Sequence, residues 1–207
     1  DGTTSRGLGD VYKRQVVATA GVEPILVDGE IDPHAWNALT NGVIYVENIA
    51  AAMAAADAGN ADAYKANAAS YIAKLQALHA GAADRFGSLP EDGRTVVTAH
   101  DAFGYLADSY GLNFLAPVGI DTEAEPSASE LAALIAHLKQ TGAGALFVEN
   151  ITSPALIEQI SKETGLKIGG RLFSDALSER GGPATSYVAM FEHNLGAIMT
   201  ALEDSSS

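Results

Sequence analysis

From Thr95 onward, short apolar runs alternate with longer amphipathic stretches, and few architectures accommodate that rhythm. The runs Thr95–Thr98, Asn113–Pro117, Ala145–Val148 and Lys167–Phe173 predict strands. The intervening stretches Ala102–Tyr110, Ser127–Gln140 and Ser153–Glu163 predict helices, and a last helix is expected over Ala184–Leu202. Strands separated by helices imply βαβ units, and so an α/β fold with a parallel four-stranded sheet flanked by helices. Gly111 and Gly165 punctuate two of the helices, while Ser127 and Glu130 have the spacing of a capping box.

Upstream, Asp62–Phe86 carries Tyr64, Ala68, Tyr71, Leu75, Leu78, Ala82 and Phe86 on one stripe, the pattern of a long amphipathic helix. About 25 helical residues reach roughly 37 Å, enough to cross a small domain. An Ala-rich helix is expected over Thr40–Ala56, broken by Gly59-Asn60. Val16-Val17-Ala18 and Ile25-Leu26-Val27 read as short strands, and Pro33 forces Asp32 into an extended turn. Residues 1–15 lack periodicity and read as unrelated or artefactual. The expected organisation is thus that segment, a remnant of an N-terminal lobe over 16–60, a linking helix over 61–87 and a C-terminal α/β lobe over 94–203. The tail from Asp204 is expected to fray.

The composition excludes several functions. With no cysteine among 207 residues, disulfide scaffolds, thiolate metal sites and cysteine nucleophiles are ruled out. A net charge of −14, without a basic face, argues against nucleic acid as a partner. The same charge is compatible with attracting cations, although an acidic surface is more often simply a solubility device. No apolar run approaches the ~20 residues of a membrane span, and no export signal is visible.

Ligands of open α/β sheets gather beyond the carboxyl ends of the strands. His100, Glu123 with Glu125, Glu149 and Asp175 follow the four predicted strands in turn. His34 comes from before the long helix, so a site combining His34, His100 and Asp175 would lie between two parts of the molecule. Two neutral imidazoles and one carboxylate are ordinary ligands for Zn²⁺. Glu149 reads either as a group holding the far side of a ligand imidazole or as a strand-end salt-bridge partner. His79, His137 and His193 fall on helix flanks and read as surface residues.

Asp32-Pro33-His34-Ala35-Trp36 with Asn41, and then Thr98-Ala99-His100-Asp101-Ala102-Phe103-Gly104-Tyr105, occur in this order. So do Thr122-Glu123-Ala124-Glu125-Pro126-Ser127, Phe147-Val148-Glu149 and Ser174-Asp175-Ala176-Leu177. Together they resemble the zinc/manganese-type solute-binding proteins of bacterial metal ABC transporters over about Val16 to Leu202. The resemblance implies two α/β lobes joined by a rigid helix, with one divalent metal between them held in part by His34, His100 and Asp175. It also implies a fourth ligand, a histidine upstream of the Asp-Pro-His motif, and none precedes His34. The chain is therefore expected to be an N-terminally truncated fragment lacking most of the first lobe, with a weakened site. The implied protein is not an enzyme. It works in the periplasm or at the outer face of the membrane, is monomeric at full length, and delivers metal to an ABC permease. A nitrogen-rich ligand set favours Zn²⁺, with Mn²⁺ the alternative.

A zinc-dependent hydrolase is the competing expectation, because three protein ligands and an open position also describe catalytic zinc. Glu149 or Glu123 would then serve as base, although no His-Glu-x-x-His motif is present. A Rossmann nucleotide site is excluded, since no Gly-x-Gly-x-x-Gly follows any strand.

Overall fold

A computed structural model describes residues 15–90, 93–121, 126–141 and 143–205. A hairpin of β1 (Leu26–Val27) and β2 (Glu30–Ile31) leads into a 3₁₀ turn over Ala35–Asn37. Two long helices follow, α1 (Leu39–Ala56) and α2 (Ala61–Gly87). The remainder alternates: β3 (Thr95–Val97), α3 (Gly104–Tyr110), β4 (Asn113–Leu115), α4 (Ala128–Thr141), β5 (Ala145–Glu149), α5 (Ala155–Thr164), β6 (Ile168–Leu172) and α6 (Tyr187–Ser205).

The four expected strands form one parallel sheet in the order β4-β3-β5-β6. Side chains alternate across it, as a pleated strand requires. Val96 and Phe147 face α2, α3 and α6, where Leu75, Phe86, Leu106, Phe191 and Ile198 are buried. Val97 and Leu146 face the other way, onto Ile135 and Leu138 of α4 and Ile157 and Ile160 of α5. The helix after β3 therefore covers one face and the helix after β5 the other. The chain changes direction between these adjacent strands, and the crevice that opens at such a point is where open sheets bind ligands.

Helix α2, about 40 Å long at 1.5 Å per residue, is buried only toward its C-terminal end, at Leu75, Ala82 and Phe86. Its N-terminal half packs beside α1 and leaves an open apolar groove of about 390 Å³ lined by Val46, Ile49, Met53 and Tyr71.

Several expected boundaries shift by a few residues, and three departures are instructive. Val16–Ala18 forms no strand; it is exposed coil entering a turn, held by the Asn48 amide, which donates to the carbonyls of Ala18 and Ala20. With no partner strand to satisfy its backbone, β-propensity alone does not make a strand. Helix α3 starts at Gly104 rather than Ala102, because the backbone around His100 is still pairing with Val118. Helix α6 starts at Tyr187 rather than Ala184 and continues through Asp204 to Ser205. The expectation for residues 1–15 falls almost wholly outside the described residues, and that for Glu123 and Glu125 entirely so.

Candidate metal centre

The 3₁₀ turn that carries His34 is held from three sides. Asp32 accepts the His34 backbone N–H at 2.9 Å, the local turn that an aspartate two residues upstream readily makes. The Asn37 amide donates to the Ala102 carbonyl at 2.8 Å, tying the turn to the loop after β3. The Trp36 indole donates to the Ser174 carbonyl at 2.9 Å, tying it to the loop after β6. Tyr105 adds a fourth tether, its hydroxyl donating to the Asp32 carbonyl and accepting from the Ile25 N–H.

His100 follows β3 and is wholly buried. Asp175 follows β6, where Asn194 of α6 brackets the preceding backbone: its side chain accepts from the Phe173 N–H and donates to the Phe173 carbonyl. These supports bring together residues from three distant parts of the chain. His34 Nε2 lies 3.7 Å from Asp175 Oδ1, and His100 Nε2 lies 3.4 Å from Asp175 Oδ2. One ligand atom from each residue falls within 4.8 Å of the others, and the two imidazoles meet edge to face at 5.3 Å. Donors bound to a tetrahedral Zn²⁺ at about 2.0–2.2 Å stand roughly 3.4 Å apart, so the spacing suits one small cation.

Each imidazole is backed by a buried carboxylate. Asp32 Oδ1 lies 2.8 Å from His34 Nδ1, and Glu149 Oε2 lies 2.7 Å from His100 Nδ1. The other Glu149 oxygen accepts the backbone N–H groups of Ala99 and His100, both at 2.9 Å. Glu149 thus ties β5 to the end of β3, and it does so at the imidazole rather than through a lysine or arginine. Held at Nδ1, both rings turn Nε2 toward Asp175, the orientation a metal ligand needs. Asp32 is the member of this set that the sequence reading passed over. It lies in the same short motif as His34, and an aspartate two residues before a ligand histidine is the signal that would have found it.

The electrostatics favour a cation. Burial lowers an imidazole's pKa, but the Asp175 and Glu149 carboxylates outweigh it and push His100 up to about 9. Asp101 beside it is raised from its ordinary value by burial and by the charge of Asp32. Negative charge is concentrated here beyond what the side chains balance among themselves. The other histidines stay apart: His79 contacts the Tyr110 hydroxyl, His193 contacts the Arg171 carbonyl, and His137 is exposed on α4.

Two buried imidazoles and a carboxylate at the sheet edge of an α/β fold form a set of donors that could hold a metal ion. Residues 4–201 match the family described as zinc-uptake complex component A, periplasmic (ZnuA), and the chain belongs to that family. It is 36% identical over 174 residues to the iron ABC transporter substrate-binding lipoprotein MtsA of Streptococcus pyogenes, covering 84% of this chain and 56% of that protein. It is 33% identical to the manganese ABC transporter substrate-binding lipoprotein PsaA of Streptococcus pneumoniae, covering 92% and 63%. The chain therefore spans somewhat over half the length of these relatives. Among solved structures, the periplasmic zinc-binding protein TroA of Treponema pallidum superposes with a TM-score of 0.85 at 28% identity, covering 94% of this chain and 76% of that one. A Mn-bound periplasmic metal-binding protein from Candidatus Liberibacter asiaticus gives 0.80 at 32% identity, covering 90% and 70%. These relatives are named as binding proteins, and the hydrolase alternative gains no support from them.

Proposed function

We propose that this chain captures a divalent transition metal outside the cytoplasm, through His34, His100 and Asp175, for delivery to an ABC-type membrane permease. One observation carries the reading: two buried imidazoles, each held at Nδ1 by a buried carboxylate, turn Nε2 toward a single shared carboxylate. That arrangement costs the fold four polar groups withdrawn from water, which a cation between them would offset. Asp175 supplies the one negative charge in direct contact with the ion, and Asp32 and Glu149 keep the imidazoles in the tautomer that binds. Family membership supports capture and delivery rather than catalysis, and the lipoprotein and periplasmic names of the relatives support an extracytoplasmic site of action.

Zn²⁺ is the proposed cargo in preference to Mn²⁺ or iron. Two nitrogens and one oxygen suit Zn²⁺ better than the oxygen-rich surroundings Mn²⁺ accepts. The relatives are named for iron, manganese and zinc in turn, so the ligand chemistry of this chain carries the choice. Competition against a chromophoric chelator at neutral pH is the test. Saturable, equimolar Zn²⁺ binding tighter than Mn²⁺ binding is expected, and it should vanish in the His34→Ala/His100→Ala double variant. Binding equal in the variant and the parent would end the assignment. Because the metal binds only the folded state, Zn²⁺ at 100 times its Kd should add about 2.7 kcal/mol of stability.

A further inference from the structure

Tyr187 opens α6, and its hydroxyl donates to the Trp36 carbonyl at 2.7 Å and lies 3.3 Å from the Ala38 carbonyl. These two carbonyls flank Asn37 in the turn that carries His34. The ring packs edge-on against Phe191 at 5.0 Å. Burial drives the phenol far above the ordinary tyrosine range, with the phenols of Tyr45, Tyr71 and Tyr110 adding to the effect, so the hydroxyl stays a donor. Helix α1 leaves room for it only because residue 42 is glycine: a Cβ there would stand 2.6 Å from the hydroxyl oxygen and 2.9 Å from ring Cε1.

The same turn reaches in the opposite direction through the Trp36 indole, which donates to the Ser174 carbonyl, one residue before Asp175. Between Leu172 and Tyr187 the chain has no helix or strand. A surface depression of about 330 Å³, lined by Trp36, Asp175, Leu177, Tyr187 and Met190, separates this loop from the start of α6. Packing is therefore incomplete where the distance between His34 and Asp175 is set, and hydrogen bonds must set it.

We infer that Tyr187 is a positioning residue for the metal centre: its hydroxyl fixes the His34 turn to α6 and, through the Trp36–Ser174 bond, sets where Asp175 stands relative to His34. This rests on the metal-binding reading above. Tyr187 acts through the carbonyls of the turn, at Trp36 and Ala38, and not through a hydrogen bond to any of the three candidate donors.

Trp36 is the only tryptophan in the chain, so its fluorescence reports on this turn alone. The experiment compares Tyr187→Phe with Tyr110→Phe, which deletes a buried hydroxyl that pairs with His79 instead. Acrylamide quenching is measured on the metal-free proteins and Zn²⁺ affinity by chelator competition. Tyr187→Phe should expose Trp36 to quencher and weaken Zn²⁺ binding about fivefold, the worth of one buried neutral hydrogen bond. Tyr110→Phe should lower the melting temperature and leave both readouts unchanged. Gly42→Ala, which crowds the hydroxyl without deleting it, should move both readouts in the same direction as Tyr187→Phe. Quenching in Tyr187→Phe equal to that of the parent overturns the inference, and so does increased quenching with unaltered Zn²⁺ affinity. Should the parent chain itself take up no Zn²⁺, the metal-binding reading fails, while quenching of the metal-free protein still decides whether Tyr187 holds the turn.

Discussion

His34 and His100 obtain the same service from different sources. His34 is held by an aspartate two residues away in its own turn, His100 by a glutamate from the neighbouring strand. Replacing Glu149 with Gln should weaken Zn²⁺ binding by about 10- to 100-fold, the usual consequence of losing the carboxylate behind a ligand imidazole. Asp175→Asn should cost more, because it removes charge from direct contact with the ion; chelator competition ranks the two. The raised pKa of His100 has a thermodynamic signature in the metal-free protein. Its folded value of about 9 lies above the ordinary 6.5, so the stability it contributes is fully present below about pH 6.5 and is lost as pH rises through about 9. Thermal melts across that window should fall with rising pH and flatten in His100→Gln. On the proposed reading, Zn²⁺ bound at His100 would displace that proton, and calorimetry at pH 7.5 in buffers of different ionisation enthalpy should detect its release. The three candidate donor residues were legible as isolated polar residues at strand ends and turns. The position of Asp32 in the His34 motif was the available signal for its service, and only the turn conformation shows how one oxygen stands against both the backbone and the ring of His34.

Among the elements, the sheet and its helices were legible because alternation at period 2 and period 3.6 is written directly in apolar spacing. The Ser127–Glu130 capping box forms as its spacing requires, with the Glu130 carboxylate accepting the Ser127 N–H and the Ser127 hydroxyl accepting that of Glu130. The β1–β2 hairpin was legible in principle. Asp28-Gly29 stand at φ 53° and 89°, the paired positive angles of a type I′ turn, and Asp-Gly is its usual sequence. What no local pattern announces is Asn194, on the inner side of α6, which satisfies both backbone groups of Phe173. Asn194→Leu should leave that buried N–H and carbonyl unpaired, destabilising the fold by roughly 1–3 kcal/mol. It should also weaken Zn²⁺ binding, since Phe173 anchors the loop bearing Asp175. Chemical denaturation and metal titration of the same variant test both consequences.

At the scale of the molecule, apolar surface is distributed unevenly. Ile49 and Met53 on α1 are 42% and 44% exposed, and Leu26 and Ile31 of the hairpin are 63% and 64% exposed. The sheet and its flanking helices hold the core, whereas the α1–α2 groove shows its apolar lining to solvent. Exposed apolar area of this kind promotes association. Ile49→Lys with Met53→Gln should reduce binding of a hydrophobic dye and self-association in sedimentation, while the melting temperature and Zn²⁺ affinity hold steady. Reduced self-association accompanied by lost metal binding would show that the groove and the metal centre are coupled.

The fold class, the helix and strand series from Thr95 onward and the choice of His34, His100 and Asp175 as candidate donors came from the sequence, because each depends on periodicity or on residue type at the end of an element. The centre itself did not. His34, His100 and Asp175 are brought together by a strand order that sets β3 between β4 and β5, with β6 beyond β5. A turn pinned by Asn37, Trp36 and Tyr187 to three separate elements then brings His34 to that edge. Strand order and long-range hydrogen bonds are choices among many pairings that local sequence permits equally. Only burial of the whole core selects one, and with it the few ångströms that separate three scattered polar residues from a site for a cation.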